Sequence, residues 1–322
     1  MGGAGEKMAH ILLTGATSFT GMWFARALSL RGHRVTAVMR GSEDEYRGLK
    51  HERLDLLRGL VDLKFRAAFG TQEFVNIANS IGPIDILCHH AADATNYKSL
   101  DFDVLGALHA NALNLQQVMA ALARAGCNLI VLTGSVFEAG EGAGDMPLRA
   151  FNPYGLSKSL TSSLFQFYAA QEGFGLSKFT IPNPFGPHEE PRFTDYLVRK
   201  WASSEVASIN TPSYVRDNIH VSLLAAAYVS CVESAEVTKY KKMNPSGYVE
   251  SQGAFAGRFA REIGNRLQIE TPIELALQTE FPEPAVRINT MPCDVGALGW
   301  SESAAWDDAA EYYAVRFSLR HR

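Results

Sequence analysis

The chain is poor in features that mark whole classes of protein. Its 322 residues include only four cysteines, Cys88, Cys127, Cys231 and Cys293, and none of them form a Cys-x-x-Cys pair. This spacing excludes the usual zinc motifs and disulfide frameworks. We expect reduced, buried thiols in a cytoplasmic protein, and no metal site.

Long apolar runs and a basic surplus are also missing. No apolar run approaches the roughly 20 residues that span a bilayer, and residues 1–10 lack the apolar core of a secretion signal. The 30 Lys and Arg residues against 34 Asp and Glu give a net charge of −4, which offers no basic footprint for nucleic acid. We expect neither a membrane nor a nucleic acid as partner.

Short, continuous apolar runs alternate with segments of helical periodicity between residues 9 and 181. Continuous runs are typical of strands buried on both faces, so the alternation predicts an α/β fold with a doubly wound parallel sheet of the Rossmann type. The predicted strands are Ala9–Leu13, Val35–Met39, Leu63–Ala67, Ile84–His89, Leu129–Thr133 and Lys178–Ile181. The apolar face predicted for the first helix is Phe19, Met22, Trp23, Ala27 and Leu30.

The sequence changes in character after Ile181, where prolines interrupt the pattern. We predict a Rossmann domain over residues 8–186, to which a helix at about residues 219–234 returns. Residues 187–218 and 235–322 are predicted to form a smaller, loop-rich C-terminal region that binds substrate. A closing helix is predicted at about residues 306–316.

A glycine-containing segment, Thr-Gly-Ala-Thr-Ser-Phe-Thr-Gly over residues 14–21, links the first strand to the first helix. Gly15 permits a tight turn and Gly21 permits close packing of helix on strand, while free N–H groups at the helix start hold a pyrophosphate. Ser18 replaces the usual middle glycine, and a plain glycine turn is the alternative. The predicted cofactor contacts are Gly15, Thr17, Ser18, Phe19, Thr20 and Gly21.

The end of the second strand indicates which dinucleotide binds. NAD sites usually place a carboxylate there, whereas this chain has Arg40 and no carboxylate. A guanidinium suits a 2′-phosphate, and Ser42 adds a second contact, so the sequence favours NADP over NAD. The alternative is that Arg40 is a surface arginine in a turn.

Tyr154 and Lys158 follow Asn152-Pro153, a predicted helix entry. Residues four apart share one face of a helix, so both side chains reach the same ligand. A nearby ammonium lowers the pKa of a phenol, which allows Tyr154 to exchange a proton with a substrate oxygen. A tyrosine and a lysine at this spacing are common, and by themselves they do not establish a site.

Several motifs in a fixed order resemble those of the extended short-chain dehydrogenase/reductase family, which comprises nucleotide-sugar epimerases, dehydratases and reductases. The resemblance covers nearly the whole chain. Its marks are the Gly15–Gly21 loop, His90-Ala91-Ala92, Asn111, the Thr133 segment, Tyr154 with Lys158, residues 183–187 (Asn-Pro-Phe-Gly-Pro), residues 216–221 (Arg-Asp-Asn-Ile-His-Val) and residues 298–300 (Leu-Gly-Trp).

The resemblance implies roles for individual residues. Thr133 would hydrogen-bond the reacting oxygen, Tyr154 would be the acid or base, and Lys158 would hold the nicotinamide ribose. The cofactor would also contact Ala91, Ala92, Asn111, Asn183 and Phe185. Arg216 would pair with the diphosphate of the substrate, or else form a structural ion pair with Asp217. Arg192 is a further candidate for the substrate pocket.

The neighbours of Thr133 bear on the reaction. Dehydratases of the family follow the threonine with Asp and Glu, but here Gly134 and Ser135 occupy these places. The epimerase-reductases of the family carry a Cys two residues after the catalytic serine and a His after Gly-Pro. His188 matches that histidine, whereas Ser135 replaces the cysteine. We predict that both residues contact the substrate. The alternative for His188 is a solvated histidine in a loop.

An NADP site without dehydratase carboxylates predicts an enzyme that reduces a nucleotide-linked 4-keto-6-deoxy sugar at C4, with Tyr154 as the acid. The alternative is a nucleotide-sugar C4 epimerase, which needs the same three residues. Less favoured alternatives are a reductase of a non-sugar ketone and a non-catalytic NADP sensor.

Relatives in the family form homodimers through two helices, which correspond here to Asp103–Arg124 and Tyr154–Gln171. The second helix carries a surplus of apolar residues for a single core-facing stripe. We therefore predict a homodimer, with burial of that surplus by the same chain as the alternative.

Overall fold

The computed structural model describes residues 8–237 and 239–319. The prediction that residues 1–10 lack a secretion signal falls mostly on residues 1–7, which lie outside the described residues. The strands are β1 (His10–Thr14), β2 (Arg34–Val38), β3 (Asp62–Lys64), β4 (Ile86–His89), β5 (Leu129–Ser135), β6 (Ala143–Gly144), β7 (Gly175–Ile181), β8 (Asn183–Phe185), β9 (Ala207–Ile209), β10 (Val215–His220), β11 (Tyr240–Met243), β12 (Pro245–Ser246), β13 (Tyr248–Ser251), β14 (Ile273–Leu275), β15 (Val286–Ile288) and β16 (Met291–Pro292).

Helices follow most of these strands. They are α1 (Phe19–Leu30), α2 (Leu49–Leu57), α3 (Gln72–Ser80), α4 (Val104–Ala112), α5 (Leu115–Arg124), α6 (Pro153–Glu172), α7 (Phe193–Ala202), α8 (Val221–Glu233), α9 (Gln252–Leu267) and α10 (Glu302–Arg316). Within the described part of the chain, no helix combines the length and the apolar character needed to cross a membrane.

A seven-stranded parallel sheet forms the first of two compact units, with the order β11-β7-β5-β4-β1-β2-β3. The unit contains residues 8–139, 150–179 and 228–243, apart from Thr238. All residues of β1 and β4 are buried, as expected for strands with helices on both faces. The predicted Rossmann-type α/β fold is confirmed.

The core of this unit packs side chains from the sheet against α3, α5 and α6. The edge strand β11, Tyr-Lys-Lys-Met, was not predicted because its polar sequence lacks the apolar run of the central strands. An edge strand is covered less completely and tolerates such charges.

One prediction about the helices of this unit is wrong in part and another is wrong. In α1 the predicted Phe19 and Met22 are buried, but Leu30 is 63% exposed. Phe24, Ala25 and Leu28 are buried as well, because the helix contacts the sheet through a face rotated from the predicted one. The helix predicted over Asp103–Arg124 is two helices. The break occurs at Asn114, which has φ +49° and donates from Nδ2 to the Gly70 carbonyl at 3.0 Å, and asparagine tolerates this left-handed conformation.

The second unit contains residues 140–149, 180–227 and 244–319 among those described. Its largest sheet has the order β13-β10-β15-β6, and β8 also pairs with β10. An aromatic core lies among α7, α9 and α10 and includes Phe185, Phe255 and Trp306. Pro182 and Pro184 lie beside and within the short strand β8, so this unit contains more regular structure than its sequence indicates.

A buried ion pair connects the segment after β5 with β7. Lys178 Nζ lies 2.5 Å from Glu138 Oε2, and both side chains are almost fully removed from solvent. Glu138 Oε1 also accepts the backbone N–H of Ser135 at 2.7 Å. The carboxylate therefore fixes the end of the strand that carries Thr133.

We expect Lys178→Met to destabilise the protein by about 3–5 kcal/mol, because the substitution leaves the Glu138 carboxylate buried without its cation. Urea unfolding measures this loss. The double variant Lys178→Met/Glu138→Gln is the control and should recover part of the stability. A wild-type unfolding free energy in the single variant would contradict a paired, desolvated arrangement.

Candidate active site

The strand order reverses between β1 and β4, which are neighbours in the sheet with Thr14 opposite His89. Beyond the carboxyl ends of two such strands, their connections leave in opposite directions and open a crevice. Ligands of doubly wound sheets bind at this position. The segments that follow β1 and β4 both contain predicted cofactor contacts.

Glycine is required at two positions of the turn after β1. Gly15 has φ +82°, and a Cβ there would lie 2.7 Å from the backbone nitrogen of Ala91. A Cβ on Gly21 would lie 2.2 Å from the carbonyl oxygen of Gly15. The turn, the start of α1 and the segment after β4 therefore meet backbone to backbone, as a phosphate-binding turn requires.

The first turn of α1 presents backbone donors. Ser18 caps the helix by accepting the Gly21 N–H on its hydroxyl. Within residues 8–237 and 239–319, no acceptor takes the N–H of Phe19 or Thr20. The preceding residue, Thr17, accepts from Arg53 through its carbonyl at 3.1 Å. Unpaired N–H groups at a helix N-terminus fit the pyrophosphate of a dinucleotide.

The Thr14 hydroxyl connects the ends of β1 and β4. Its oxygen accepts the backbone N–H groups of His90 at 3.1 Å and Ala91 at 3.0 Å. His89 Nε2 lies 3.0 Å from the Asn111 carbonyl, which only accepts, so this nitrogen carries the proton and Nδ1 accepts from Thr14. Burial, and then the charge of Lys158, lower the pKa of His89 to about 3, so the imidazole stays neutral.

Asn111 supports the segment after β4. Its Oδ1 accepts the N–H of Asp93 at 2.9 Å, and its Nδ2 donates to Thr161 Oγ1 at 3.3 Å. The side chain thus holds the backbone around Ala92, which is half-buried. Direct contact of Asn111, Ala91 or Ala92 with a cofactor remains a prediction.

Lys158 and Thr133 are joined directly. The Lys158 ammonium, fully buried on α6, donates to the Thr133 carbonyl at 2.7 Å. Desolvation is the largest influence on the pKa of Lys158 and lowers it. The charge of Glu138 raises this pKa, and the charge of Lys178 lowers it further. Among the described residues, Lys158 has no other hydrogen-bond acceptor and no carboxylate within ion-pair distance. An ammonium with one acceptor retains donors for hydroxyl groups of a ligand.

Tyr154 lies one turn before Lys158 on α6 and is half-buried. Its ring packs edge-on against Tyr97 and Phe102, with centroid distances of 5.6 and 5.8 Å. Asn152 caps α6 by accepting the Gly155 N–H at 2.8 Å. A Cβ on Gly155 would lie 2.1 Å from the Phe137 carbonyl, so glycine lets the first turn of α6 approach the segment after β5.

Ser135 ends β5 and is half-buried. Its backbone N–H is taken by Glu138 and its hydroxyl accepts the Phe137 N–H at 3.2 Å. The nearest carboxylate along the chain, Glu138, is fully buried and bound to Lys178. The described segment from Gly134 to Glu138 therefore provides no free carboxylate for elimination of water.

The end of β2 differs in part from the prediction. Arg40 is exposed, and within the part of the chain that the structure describes it has no hydrogen-bond or ion-pair partner. The expectation that no carboxylate lies nearby is wrong. A single 3₁₀ turn, Glu43–Glu45, brings Glu45 Oε1 to 2.7 Å from the Ser42 hydroxyl and 3.3 Å from its N–H. Ser42, predicted as a phosphate contact, thus donates to Glu45.

The second unit contains the remaining predicted residues. Asn183 is half-buried and pairs with Asn218 between β8 and β10. The Phe185 ring is buried against Phe255 and Trp306, so its side chain serves the core and only its backbone remains available to a cofactor. His188 has φ +68° and its ring lies 4.7 Å from that of Tyr312. Arg192 is exposed immediately before α7.

Arg216, the predicted diphosphate contact, is held by its own unit. Its guanidinium stacks 4.5 Å from the centre of the Tyr214 ring and donates to the carbonyls of Pro284 and Ala285. Its ion pair is with Glu283 at 3.3 Å. The ion pair with Asp217 considered as the alternative is wrong, because the Asp217 carboxylate accepts backbone N–H groups of Gly247 and Asn289.

Sequence reasoning did not find functions for three polar residues of the site, Thr14, His89 and His90. His90 was recognised only as part of a motif, yet its ring contacts Thr133, Ser18 and Thr20. The sequence did contain one signal for such functions, because a polar residue ends each of two otherwise apolar strands. Their partners are about 70 residues away along the chain, and sequence spacing does not reveal such pairs.

Comparison with known proteins gives the class. A sequence model of the NAD dependent epimerase/dehydratase family matches residues 11–244, which is most of the chain. The chain belongs to this family, and it is an enzyme of the extended short-chain dehydrogenase/reductase type. No curated protein matches it at a significant level.

Solved structures share the fold at low sequence identity. UDP-glucuronic acid 4-epimerase from Bacillus cereus, solved with a fluorinated UDP-sugar and NAD, has a TM-score of 0.72 and 15% identity over 95% of this chain and 99% of that chain. UDP-glucose 4-epimerase from Thermotoga maritima has a TM-score of 0.72 and 16% identity, with the same coverage. The dTDP-glucose 4,6-dehydratase DesIV from Streptomyces venezuelae has a TM-score of 0.71 and 14% identity over 96% and 98% of the two chains.

The description of the family names NAD as the cofactor on which its epimerases and dehydratases depend. The turn after β1, with its two obligatory glycines and its unpaired N–H groups, has the features that such a cofactor requires.

Proposed function

We propose that this enzyme reduces a nucleotide-linked 4-keto-6-deoxy sugar at C4 with NADPH. The observation that carries the proposal is the buried contact between the Lys158 ammonium and the Thr133 carbonyl, one helical turn from Tyr154. This contact supports the proposed grouping of a proton donor, a hydroxyl and a cation near the carboxyl end of β5.

Each residue has a distinct part in the reaction. The bound dinucleotide supplies the hydride. The Tyr154 hydroxyl gives its proton to the C4 oxygen as charge develops there, and the Thr133 hydroxyl donates a hydrogen bond to the same oxygen. The Lys158 ammonium stabilises the tyrosinate that remains and binds the ribose hydroxyls with its free donors. Gly134 and Ser135, which directly follow Thr133, are not the carboxylic acids that 4,6-dehydration needs at these positions.

The preference for NADP is supported by Arg40, whose exposed guanidinium is unpaired among the described residues. A guanidinium binds a phosphate dianion through two parallel hydrogen bonds, which a ribose hydroxyl does not match. The carboxylate that lies near the end of β2 is that of Glu45, and it accepts a hydrogen bond from Ser42. We propose that the first unit binds the dinucleotide and contributes Ser135 as a contact to the nucleotide sugar. His188, Arg192 and Arg216 are the proposed contacts to the nucleotide sugar from the second unit.

A C4 epimerase is the second candidate, because two of the structures similar to this chain are UDP-sugar 4-epimerases that bind NAD or a UDP-sugar. Epimerisation requires the same Thr133, Tyr154 and Lys158. It returns the hydride within one turnover, so it consumes no dinucleotide. The two candidates therefore differ in whether NADPH is used up.

The first prediction concerns turnover. Oxidation of NADPH, followed by absorbance with a panel of 4-keto nucleotide sugars, should be supported by at least one of them, and Tyr154→Phe should lower kcat about 100-fold or more through loss of the acid. Tyr168→Phe, which removes a hydroxyl from the same helix, is the matched control. No NADPH oxidation across the panel, together with C4 epimerisation of an ordinary nucleotide sugar, would establish the epimerase instead.

The second prediction concerns the cofactor. Arg40→Asp should weaken NADPH binding about 10- to 100-fold, as expected for loss of a charged hydrogen bond, and should strengthen NADH binding. Fluorescence titration measures both. Arg34→Asp, at the opposite and exposed end of β2, is the control because it changes the net charge equally. An equal effect of the two substitutions would show that Arg40 does not contact the 2′-phosphate.

We also propose a homodimer, formed through exposed apolar residues of α4 and α6. These residues are Leu105 (73% exposed), Leu156 (43%), Leu160 (37%) and Phe167 (64%). Exposed apolar side chains on adjacent helices indicate a protein contact. The four cysteines are free thiols, three of them buried, which fits the reducing cytoplasm in which we place the enzyme.

The third prediction tests this assembly. Light scattering coupled to gel filtration should give twice the chain mass for the wild type, and Phe167→Glu should give the mass of one chain because a charge enters the interface. Leu30→Glu, an equally exposed apolar position on α1, should leave the dimer intact. A monomeric wild type would refute the proposal.

A further inference from the structure

A second exposed guanidinium group lies beside Arg40. Arg66 is the second residue after β3, and its backbone N–H donates to the carbonyl of Gly41 at 2.9 Å. Gly41 directly follows Arg40. Both arginines are exposed, and among the described residues neither side chain has a hydrogen-bond or ion-pair partner. Two unpaired guanidinium groups therefore extend from neighbouring backbone at the carboxyl ends of β2 and β3.

The backbone of Arg66 is unusual for a residue with a long side chain. Its φ is +61°, in the left-handed region that few residues other than glycine adopt. This conformation accompanies a tight turn of the chain, because Arg66 and Ala67 donate their consecutive N–H groups to Gly41 and Met39, both at 2.9 Å. Residues held in this region cluster at ligand sites. A glycine would satisfy the backbone here, so the presence of an arginine indicates a use of its side chain.

Arg66 lines a shallow pocket of about 470 Å³ in the first unit. A pocket of this size suits part of a small ligand. Other residues of its lining are Ser42, Glu43, Asp44, Arg47 and Arg58, of which Glu43 and Arg58 form an ion pair. The pocket adjoins the end of β2, where dinucleotide-binding sheets hold the adenosine ribose and any phosphate on it.

Two further carboxylates lie near this pocket. Glu45 accepts the Ser42 hydroxyl at 2.7 Å and the Ser42 N–H at 3.3 Å. Hydrogen bonding with Ser42, followed by smaller contributions that include the charge of Arg66, lowers the pKa of Asp44. In the part of the chain that the structure describes, Asp44 nevertheless forms no ion pair with Arg66. Because both donors of Ser42 are occupied, a phosphate bound here depends on the guanidinium groups.

We propose that Arg66 is a second contact to the 2′-phosphate of NADPH and that, together with Arg40, it determines the preference for NADPH over NADH. A phosphate group carries nearly two negative charges and three acceptor oxygens. Two guanidinium groups bind it through parallel hydrogen bonds, and its charge offsets their mutual repulsion. A ribose hydroxyl offers no charge to either group. The inference rests on the proposed function, because it requires a dinucleotide with a 2′-phosphate.

The first test measures binding without a sugar substrate. Arg66→Gly removes the guanidinium but permits the left-handed backbone. Fluorescence titration should show NADPH binding weakened about 10- to 100-fold, as expected for loss of a charged hydrogen bond, with NADH binding nearly unchanged. The midpoint of urea unfolding should not fall. Gln268→Gly is the matched control, because Gln268 also has a left-handed backbone (φ +55°) but lies in the second unit, and it should change neither affinity.

The second test isolates the phosphate. Adenosine 5′-monophosphate and adenosine 2′,5′-bisphosphate differ only in the 2′-phosphate, and calorimetric titration of each gives the contribution of this group. Arg66→Gly should lower the affinity for the bisphosphate by the same factor as for NADPH and leave that for the monophosphate unchanged. Arg66→Asn, which also tolerates the left-handed region, should reproduce the loss. Equal weakening of both nucleotides would show a structural effect and overturn the role of Arg66.

The outcomes separate this inference from the function on which it rests. A wild-type preference for NADPH that Arg40→Asp removes and Arg66→Gly leaves intact would overturn the role of Arg66 alone. A wild type that binds NADH as tightly as NADPH would overturn the cofactor assignment of the proposed function together with this inference. Failure of every 4-keto sugar in the turnover assay would overturn the proposed reaction, whereas the two adenosine phosphates would still decide whether Arg66 binds a 2′-phosphate.

Discussion

The site depends on a buried ammonium that is bound to a backbone carbonyl. Lys158 donates to Thr133 on β5 and has no carboxylate within ion-pair distance in the described residues. Removing a charge from water without a paired counter-ion is unfavourable, and desolvation accordingly lowers the pKa of this group. Lys178, which is equally buried, instead forms an ion pair with Glu138. Lys178 therefore has a paired counter-ion, whereas the Lys158 ammonium keeps donors that the proposed function assigns to the ligand hydroxyls.

Polar groups around this ammonium form a continuous set of hydrogen bonds at the switch point of the sheet. The Thr14 hydroxyl binds the backbone of the segment after β4. His89 forms hydrogen bonds with both Thr14 and a backbone carbonyl of α4. His90 connects the turn after β1 to Thr133. The two neutral histidines add no further charge beside Lys158, which keeps the ammonium as the dominant electrostatic feature. The turn after β1 and the Thr133 hydroxyl are thus connected through the same few contacts.

The sequence was sufficient for the parts of the molecule set by local pattern. Continuous apolar runs located the central strands, and Gly15, Gly21 and the Tyr154/Lys158 spacing follow from short-range geometry. The parts that were missed depend on contacts between distant residues. The break at Asn114 forms against Gly70, Glu45 folds back on Ser42, and Arg216 pairs with Glu283 rather than its neighbour. No periodicity encodes these partners, because tertiary packing selects them.

The most direct measurement is the unfolding free energy of Lys158→Met at pH 7, determined together with its affinity for NADPH. The account predicts a stability gain of about 1–3 kcal/mol, since a desolvated charge is replaced by an apolar chain of similar length, and a marked loss of dinucleotide affinity. Because the unfolded chain binds the proton more tightly, the gain should shrink as the pH rises toward 10.5. A loss of stability as large as that of Lys178→Met, with unchanged NADPH binding, would contradict the account.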